Sequence, residues 1–489
     1  MSVGNRFRSI ISPILVSPSA PVSIYFLNMK RFRTCSLDQP FILPPSLQDW
    51  LPENHLARWI ARVVDTMDLT AILSQYGRKD GRGKAAWHPT MLVRLLIYGY
   101  AVGVRSSRAI EKATYEDVAF RYLAANDHPD HDVIADFRKT HLEALSELFL
   151  KALLLCQKAG LVKLGQIAID GTKVAANASR QQTRSYERLS EKEKILADEV
   201  QRLLNEAAAV DAEEDTLWGK GKRGDELPEE LATAERQLAK IRAAKQELER
   251  EAREKAEQAA REKAEQDGKP KDEAQKKRWQ RAKSEAPDGK TKGNLTDPES
   301  RLMVDGSSKA FVQGYNAQVA AAGVPQIIVA QAVVQEPNDK QQLAPMLAQA
   351  ERNLGSAPEL TTADAGYWNE EEIGKLQAAE RDVLVPPDGG KSRGKAELPA
   401  NAPKGPIAQQ MRARLEREDE RKRYRKRSGM VEPVFGLWKE ILGYRRFLLR
   451  GLKKVRGEWS LICTAFNLRK LFLYGPKDLK WLQEIGAAG

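Results

Sequence analysis

From Asp38 to Gly160, apolar residues recur every three or four positions between polar punctuation, a period that predicts helices packed into an all-α domain. HPTMLVRLLIYGYAVG places Pro89 in a first helical turn, and the GVRSS break leaves Ser106 or Ser107 to cap a second helix, SRAIEKATYEDVAFRYLAA. The pair fits a helix-turn-helix and fits a packed structural hairpin equally well. After HPDHD, Asp130 or Asp132 caps one longer helix, VIADFRKTHLEALSELFLKALLLCQKAG, with Val133, Phe137, Leu145 and Phe149 on one side and Gly160 closing it. His128, His131 and His141 have no cysteine or carboxylate at ligand spacing, which points to surface or capping roles.

The period then changes. GQIAIDGTKVAANAS is an extended run in which Ile167 and Ile169 alternate with small residues and lead to Asp170. From about Tyr186 to Gln266 the chain is helical again and rich in Ala, Glu, Lys and Arg. There Leu231, Leu238, Ile241 and Leu248 approximate a heptad seam and AREKAEQ occurs twice. Its mixed charge suits a solvated antiparallel helical pair or coiled coil better than a DNA clamp. A polar stretch, DGKPKDEAQKKRWQRAKSEAPDGKTKGN, is expected to be flexible. KAFVQGYNAQVAAAGVPQIIVAQAVVQ reads as a hairpin, and helix, strand, helix and strand follow in NDKQQLAPMLAQAERNLG, ELTTADAGY, EEEIGKLQAAE and RDVLVPP.

This alternation gives an α/β fold class with some parallel strands. Neither half has enough strands to close a core alone, so the charged helical segment interrupts one domain. The expected organisation is 1–28 as an extension without fold, translation starting at Met29, then 29–160 as the all-α N-terminal domain. Residues 161–185 and 286–489 form the two parts of the α/β domain, around a helical insertion and linker at 186–285.

Charge sharpens the picture. Lys and Arg outnumber Asp and Glu, 79 to 67, for a net charge of +12, which fits a polyanionic partner. Cys35, Cys156 and Cys463 are far apart and form no CxxC pair, excluding a zinc ribbon or disulfide framework and suggesting a reducing cytoplasm. Pro13 and Pro18 interrupt the first apolar run, and no later segment offers the roughly 18 apolar residues of a membrane span.

The last third is basic, RLEREDERKRYRKRS running into GMVEPVFGLWKEILGYRRFLLRG, and Glu432 stands inside it. Pro433 suits a first helical turn, which would put Glu432 at a helix N-terminus and Lys439 on the same face two turns on. Singly, each acid has an ordinary reading: Asp170 or Asp364 as a strand-ending turn, Glu432 as a dipole partner. Brought together without metal, unit charges at 4 Å would repel by roughly 4 kcal/mol per pair at an effective dielectric of 20. Oxygen ligands without His or Cys suit Mg²⁺ or Mn²⁺, and two such ions can stabilise both the attacking and the leaving oxygen of a phosphodiester.

The motifs AIDGTKVAANAS, LTDPESRLM, FVQGYNAQVA, QEPNDKQQLAPML, TADAGYW and YRKRSGMVEPVFGLWK, in this order, resemble the bacterial insertion-sequence transposases of the acidic-triad (DDE) class, in particular the group numbered eleven eighty-two. The resemblance runs from Met29 over nearly the whole chain. It implies an RNase H-like catalytic domain, two Mg²⁺ or Mn²⁺ ions held by Asp170, Asp364 and Glu432, and cleavage at element ends followed by strand transfer. The implied partners are double-stranded DNA, as terminal inverted repeats and target, and a second copy of the chain in the DNA complex. The family's Tyr, Arg, Glu and Lys signature maps onto Tyr424, Arg427, Glu432 and Lys439, with four residues between Arg and Glu where related groups have three. Arg427 and Lys439 would grip phosphates, Lys309, Tyr315 and Asn316 would lie along the DNA path, and Tyr367 or Trp368 would stack on an unpaired base or belong to the core. A nuclease that cuts without joining and a non-catalytic DNA-binding scaffold are the competing readings.

Overall fold

In a computed structural model, described over residues 46–76, 86–163, 165–218, 229–266, 282, 285–306, 309–388, 402–476 and 481, side-chain caps set where the N-terminal helices begin. His55 opens α1 (Leu56–Thr66), and a single turn, α2 (Thr70–Leu73), follows. His88 with Pro89 opens α3 (Pro89–Val102), and Ser106 opens α4 (Ser107–Glu116). The segment 1–28, Cys35 and most of the linker after Gln266 lie outside the described residues.

Two expected helices are each divided. The Asp117 carboxylate accepts the N–H groups of Ala119 and Phe120 at 2.7 and 3.2 Å, so it ends α4 and starts α5 (Val118–Leu123). Asp side chains compete for backbone donors in this way and favour caps over helix interiors. The longer helix breaks at His141 into α6 (His131–Thr140), capped by Asp130, and α7 (Leu142–Lys158). His141 is a buried group and not a surface one: its ring stacks on Tyr76 at 5.5 Å and shares a 3.1 Å hydrogen bond with the Tyr76 hydroxyl. His128 stacks on Tyr115, and His131 pairs with Glu111 at 2.8 Å.

The sheet is built around β1 (Gln166–Ala175). On one side β1 pairs antiparallel with the long β5 (Phe311–Ala322), whose far edge carries β4 (Arg301–Val304) and β6 (Ile327–Val334) end to end. On the other side it pairs in parallel with β7 (Leu360–Ala363), which pairs in parallel with β8 (Val383–Leu384). The apolar hairpin β5–β6 and the small residues Ala168 and Ala321 let helices approach both faces. Helices α10 (Leu343–Leu354), α11 (Glu370–Ala378) and α12 (Pro406–Glu416) connect the later strands and lead to α13 (Glu418–Gly436).

The charged insertion leaves and re-enters at one point. β2 (Thr183–Ser185) pairs antiparallel with β3 (Lys292–Asn294), closing a stem below α8 (Tyr186–Trp218) and α9 (Glu229–Gln266). Leu189 of α8 is buried with Ile241, Ala244 and Leu248 of α9, and Glu193 bonds Lys245 at 2.9 Å. Tyr186 reaches Glu249 at 2.7 Å, so the described pairing runs antiparallel.

The last helix, α14 (Leu452–Tyr474), is buried along most of its length and packs against α7, α3 and β6. The N-terminal helices and the sheet therefore share one continuous apolar core. Fully buried Glu458 is tied into it by the backbone N–H groups of Leu448 and Leu449 and by Arg105 at 3.5 Å. Arg105 also donates to the Arg446 carbonyl at 2.9 Å, which anchors the loop before α14. Cys156 and Cys463 are buried free thiols. No helix among the described residues is long and apolar enough to cross a membrane.

Candidate active site

Register brings the two aspartates together. Ile169 of β1 pairs with Ala363 of β7 in parallel, so Asp170 and Asp364 each stand one residue further along neighbouring strands. Asp170 stays within β1, its Oδ1 accepting the Gly171 N–H at 2.8 Å. Asp364 leaves β7 and caps the turn Ala365–Tyr367, accepting the Gly366 N–H at 2.9 Å. From α13, Arg427 Nη1 donates to Asp170 Oδ2 at 3.0 Å.

Burial governs the electrostatics. It pushes the Asp170 carboxyl up to about 6, and Asp364 adds to the rise, despite the opposing Arg427 charge. Burial raises Asp364 as well, again against Arg427. Burial disfavours the charge on Arg427, but Asp170, Tyr424 and Asp364 outweigh it and hold the guanidinium above its usual range. The ionised aspartates are thus only partly neutralised by protein groups.

A third acid, absent from the sequence reading, borders this pair. Asp339 Oδ1 accepts from Asn316 Nδ2 at 2.6 Å, Gln318 Nε2 at 2.7 Å and Lys173 Nζ at 3.4 Å. Asp339 meets β1 beside Gly171 and Lys173 and lies near enough to Asp364 to raise its pKa. A β-carbon at Gly171 would meet Gln318 Nε2 and lie 2.9 Å from Asp339 Oδ1. In the sequence this acid fell within NDKQQLAPMLAQAERNLG, read as a helix throughout, whereas the helix begins only at Leu343 and leaves Asp339 in the preceding loop.

Glu432 does not sit at a helix N-terminus. It lies well inside α13, is exposed, and forms no hydrogen bond or ion pair with a described residue. Five residues from Arg427, it is turned about 140° around the helix. Pro433 is an interior proline here. It lacks the N–H that would bond the Gly429 carbonyl, and Gln326 Nε2 donates to that oxygen instead at 3.1 Å. Lys439 lies in a π-helical turn, Leu437–Ile441, closed by the Leu442 N–H to Leu437 carbonyl bond at 2.9 Å, so the expected two-turn register with Glu432 is lost. Tyr424 is half-buried near Arg427, whose guanidinium stands 5.9 Å from the centre of its ring.

Two further expectations need correction, and a third is decided between its alternatives. Tyr315 is fully buried, its hydroxyl donating to Asp297 Oδ1 at 2.9 Å, and Asn316 is fully buried on Asp339, so neither offers a surface to DNA. Tyr367 is fully buried with its hydroxyl on Gln318, and Trp368 is 9% exposed, which favours the core alternative for both rings. Lys309 is exposed, with a left-handed backbone (φ 57°) at the turn before β5.

The donor chemistry around Asp170 and Asp364 fits a hard divalent cation. All the acidic donors are oxygen, and three carboxylates face two cationic side chains, Arg427 and Lys173. A β-carbon at Gly366 would lie 3.0 Å from Asp364 Oδ1 and 3.7 Å from Asp339 Oδ2, so the glycine leaves open the space between these acids. Among the described residues, the three-residue group whose ligand atoms lie within 4.8 Å of one another is Glu111, Asp130 and His131, not Asp170, Asp364 and Glu432.

Two segments of the chain match transposase families. Residues 45–140 match Transposase domain (DUF772), and residues 391–472 match Transposase DDE domain. No curated protein and no solved structure matches the chain. Together the two matches support an insertion-sequence transposase of the DDE type, a class that acts on DNA and depends on divalent metal. The second segment contains Tyr424, Arg427, Glu432 and Lys439, whereas Asp170 and Asp364 lie outside both.

Proposed function

We propose that this chain is a DDE transposase of the group numbered eleven eighty-two, cutting the ends of an insertion sequence and joining them to target DNA. One observation carries the reading: Asp170 and Asp364 meet at neighbouring positions of parallel strands, and Arg427, from the segment that matches a DDE domain, closes on Asp170. The antiparallel strands around β5, followed by β1, β7 and β8 in parallel, support an RNase H-like domain. The hairpin of α8 and α9 is then its coiled-coil insertion.

In this proposal Asp170 and Asp364 hold two Mg²⁺ or Mn²⁺ ions, with Glu432 as the third acid from α13. When bound, the ions neutralise charge developing on the phosphate and on the attacking and leaving oxygens. Water attacks the phosphorus at the element end, the bond to the 3′ oxygen breaks, the water gives up a proton to solvent and the leaving 3′ oxygen takes one up as a hydroxyl. The freed 3′-hydroxyl then attacks a target phosphorus, losing its proton to solvent, and displaces the target's own 3′ oxygen, which is protonated in turn. Arg427 orients Asp170 and presents its remaining N–H groups toward phosphate, and Lys439 supplies a further cation. Simultaneous processing of two ends calls for a homodimer on DNA.

The test is a paired-end assay with labelled terminal repeats. Asp170→Asn, Asp364→Asn and Glu432→Gln are expected to abolish joined product while retaining end binding. Joining by any of the three refutes its assignment, and cleaved ends without joined product from the unaltered chain would support the nuclease instead.

A further inference from the structure

Beyond Asp170, β1 leads into a second feature that the chemistry above does not use. At Ala175 the strand forms a parallel bridge to Arg446, secured by the Phe447 N–H to Ala175 carbonyl bond at 2.8 Å. The loop after β1, the start of β5 and the loop before α14 converge there around a cavity of about 630 Å³. Its lining includes Arg180, Arg446 and Arg450 and no carboxylate, with Phe311 on one wall. The depression is open to solvent and cationic, a lining that suits an extended polyanion rather than an enclosed small molecule.

The arginines differ in their ties. Arg450 Nε donates to the Asn177 carbonyl at 2.8 Å, and the group lies near buried Asp297. Arg180 and Arg446 are exposed, and their side chains make no hydrogen bond or ion pair with a described residue. Phe311, 57% exposed, presents its ring on the wall of this depression beside the arginines. Unpaired guanidinium groups beside an open aromatic face are the two elements that hold a single nucleic-acid strand, one on phosphates and the other stacked on a base. From Asp170 to Ala175 the strand rises about 16 Å at 3.3 Å per residue, roughly five nucleotide steps of a duplex strand.

We infer that this cavity binds an unpaired DNA strand near the processed end, with Arg180 and Arg446 on phosphates and Phe311 stacked on a base. The inference rests on the transposase reading and adds a site that neither the acidic triad nor the family matches assign.

Fluorescence anisotropy of the full chain tests it, using a labelled 12-nucleotide oligo-dT and a labelled 20-base-pair duplex titrated across NaCl concentrations. Replacing Arg180 and Arg446 together by Gln is expected to reduce the single-strand slope of log affinity against log salt by about 1.4, or about 0.7 per lost phosphate contact. Phe311→Leu is expected to weaken oligo-dT binding about tenfold with the slope and the duplex affinity unchanged. Thermal melting of both variants should match the unaltered chain, because the replaced groups are exposed. Unchanged oligo-dT affinity and slope, or equal losses on duplex, overturn the cavity assignment while leaving the transposase reading intact. No DNA binding by the unaltered chain overturns both.

Discussion

Arg427 and Asp170 are 257 positions apart in the chain, yet Nη1 of one lies 3.0 Å from Oδ2 of the other. The contact fastens α13 across the central strand and brings the basic C-terminal segment to the aspartate pair. It also opposes the burial that pushes Asp170 up to about 6. Removing it with Arg427→Met is expected to raise the Asp170 pKa further, so that protons compete more strongly with a cation. Mn²⁺ calorimetry should then show a larger loss of affinity at pH 6 than at pH 8. An equal loss at both values would mean that Arg427 does not act through Asp170.

The same burial has a consequence for stability. With the folded pKa raised above its unfolded value near 3.8, the native state binds the proton more tightly, so stability falls as pH rises from about 4 to about 6. The penalty is complete above that window. Asp170→Asn should therefore be more stable than the unaltered metal-free chain at pH 8, by at most about 3 kcal/mol at 1.36 kcal/mol per unit, and melt at a higher temperature. The advantage should vanish at pH 4. A lower melting temperature at pH 8 would show that the lost Arg427 pairing outweighs the relief of burial.

Gln326 and Pro433 form a second pair whose coupling is measurable. Gln326→Ala strips the Gly429 carbonyl of its donor and should cost about 1 kcal/mol. In a Pro433→Ala background the helix regains its own N–H donor at position 433, so the same change should cost less than half as much. Equal costs in both backgrounds, measured by urea denaturation as a double-mutant cycle, would break the proposed link.

Two glycines separate packing from ligand space. A side chain at Gly171 must displace Gln318 and Asp339, so Gly171→Ala should lose about 1–3 kcal/mol of stability. Gly366 is exposed and a methyl there would press on Asp364 Oδ1 at 3.0 Å. Gly366→Ala should leave the melting temperature nearly unchanged and weaken Mn²⁺ binding several-fold. The reverse pattern would place the open space elsewhere.

Much of this was legible from the chain. The alternation around Ile167 and Ile169 and the apolar hairpin from Phe311 to Val334 located the strands, whereas the second aspartate was singled out by the family resemblance of TADAGYW, in a strand that in fact ends at Ala363. The stem strands Thr183–Ser185 and Lys292–Asn294 were not legible, because they are three residues each and owe their pairing to chain closure. Asp117 and His141 divided helices whose apolar period ran on without interruption. Pro433 misled most: its usual first-turn preference was overridden because Gln326, more than a hundred residues away, supplies the missing hydrogen bond. Asp339 was invisible for a similar reason, since its partners Lys173, Asn316 and Gln318 come from two other strands.

Titration of Mn²⁺ into the full chain at pH 8, followed by calorimetry, tests most directly whether Asp170 and Asp364 form one cation site. Asp170→Asn and Asp364→Asn should each lower the affinity at least tenfold with the fold intact by circular dichroism. Affinity close to that of the unaltered chain in both variants would contradict the account.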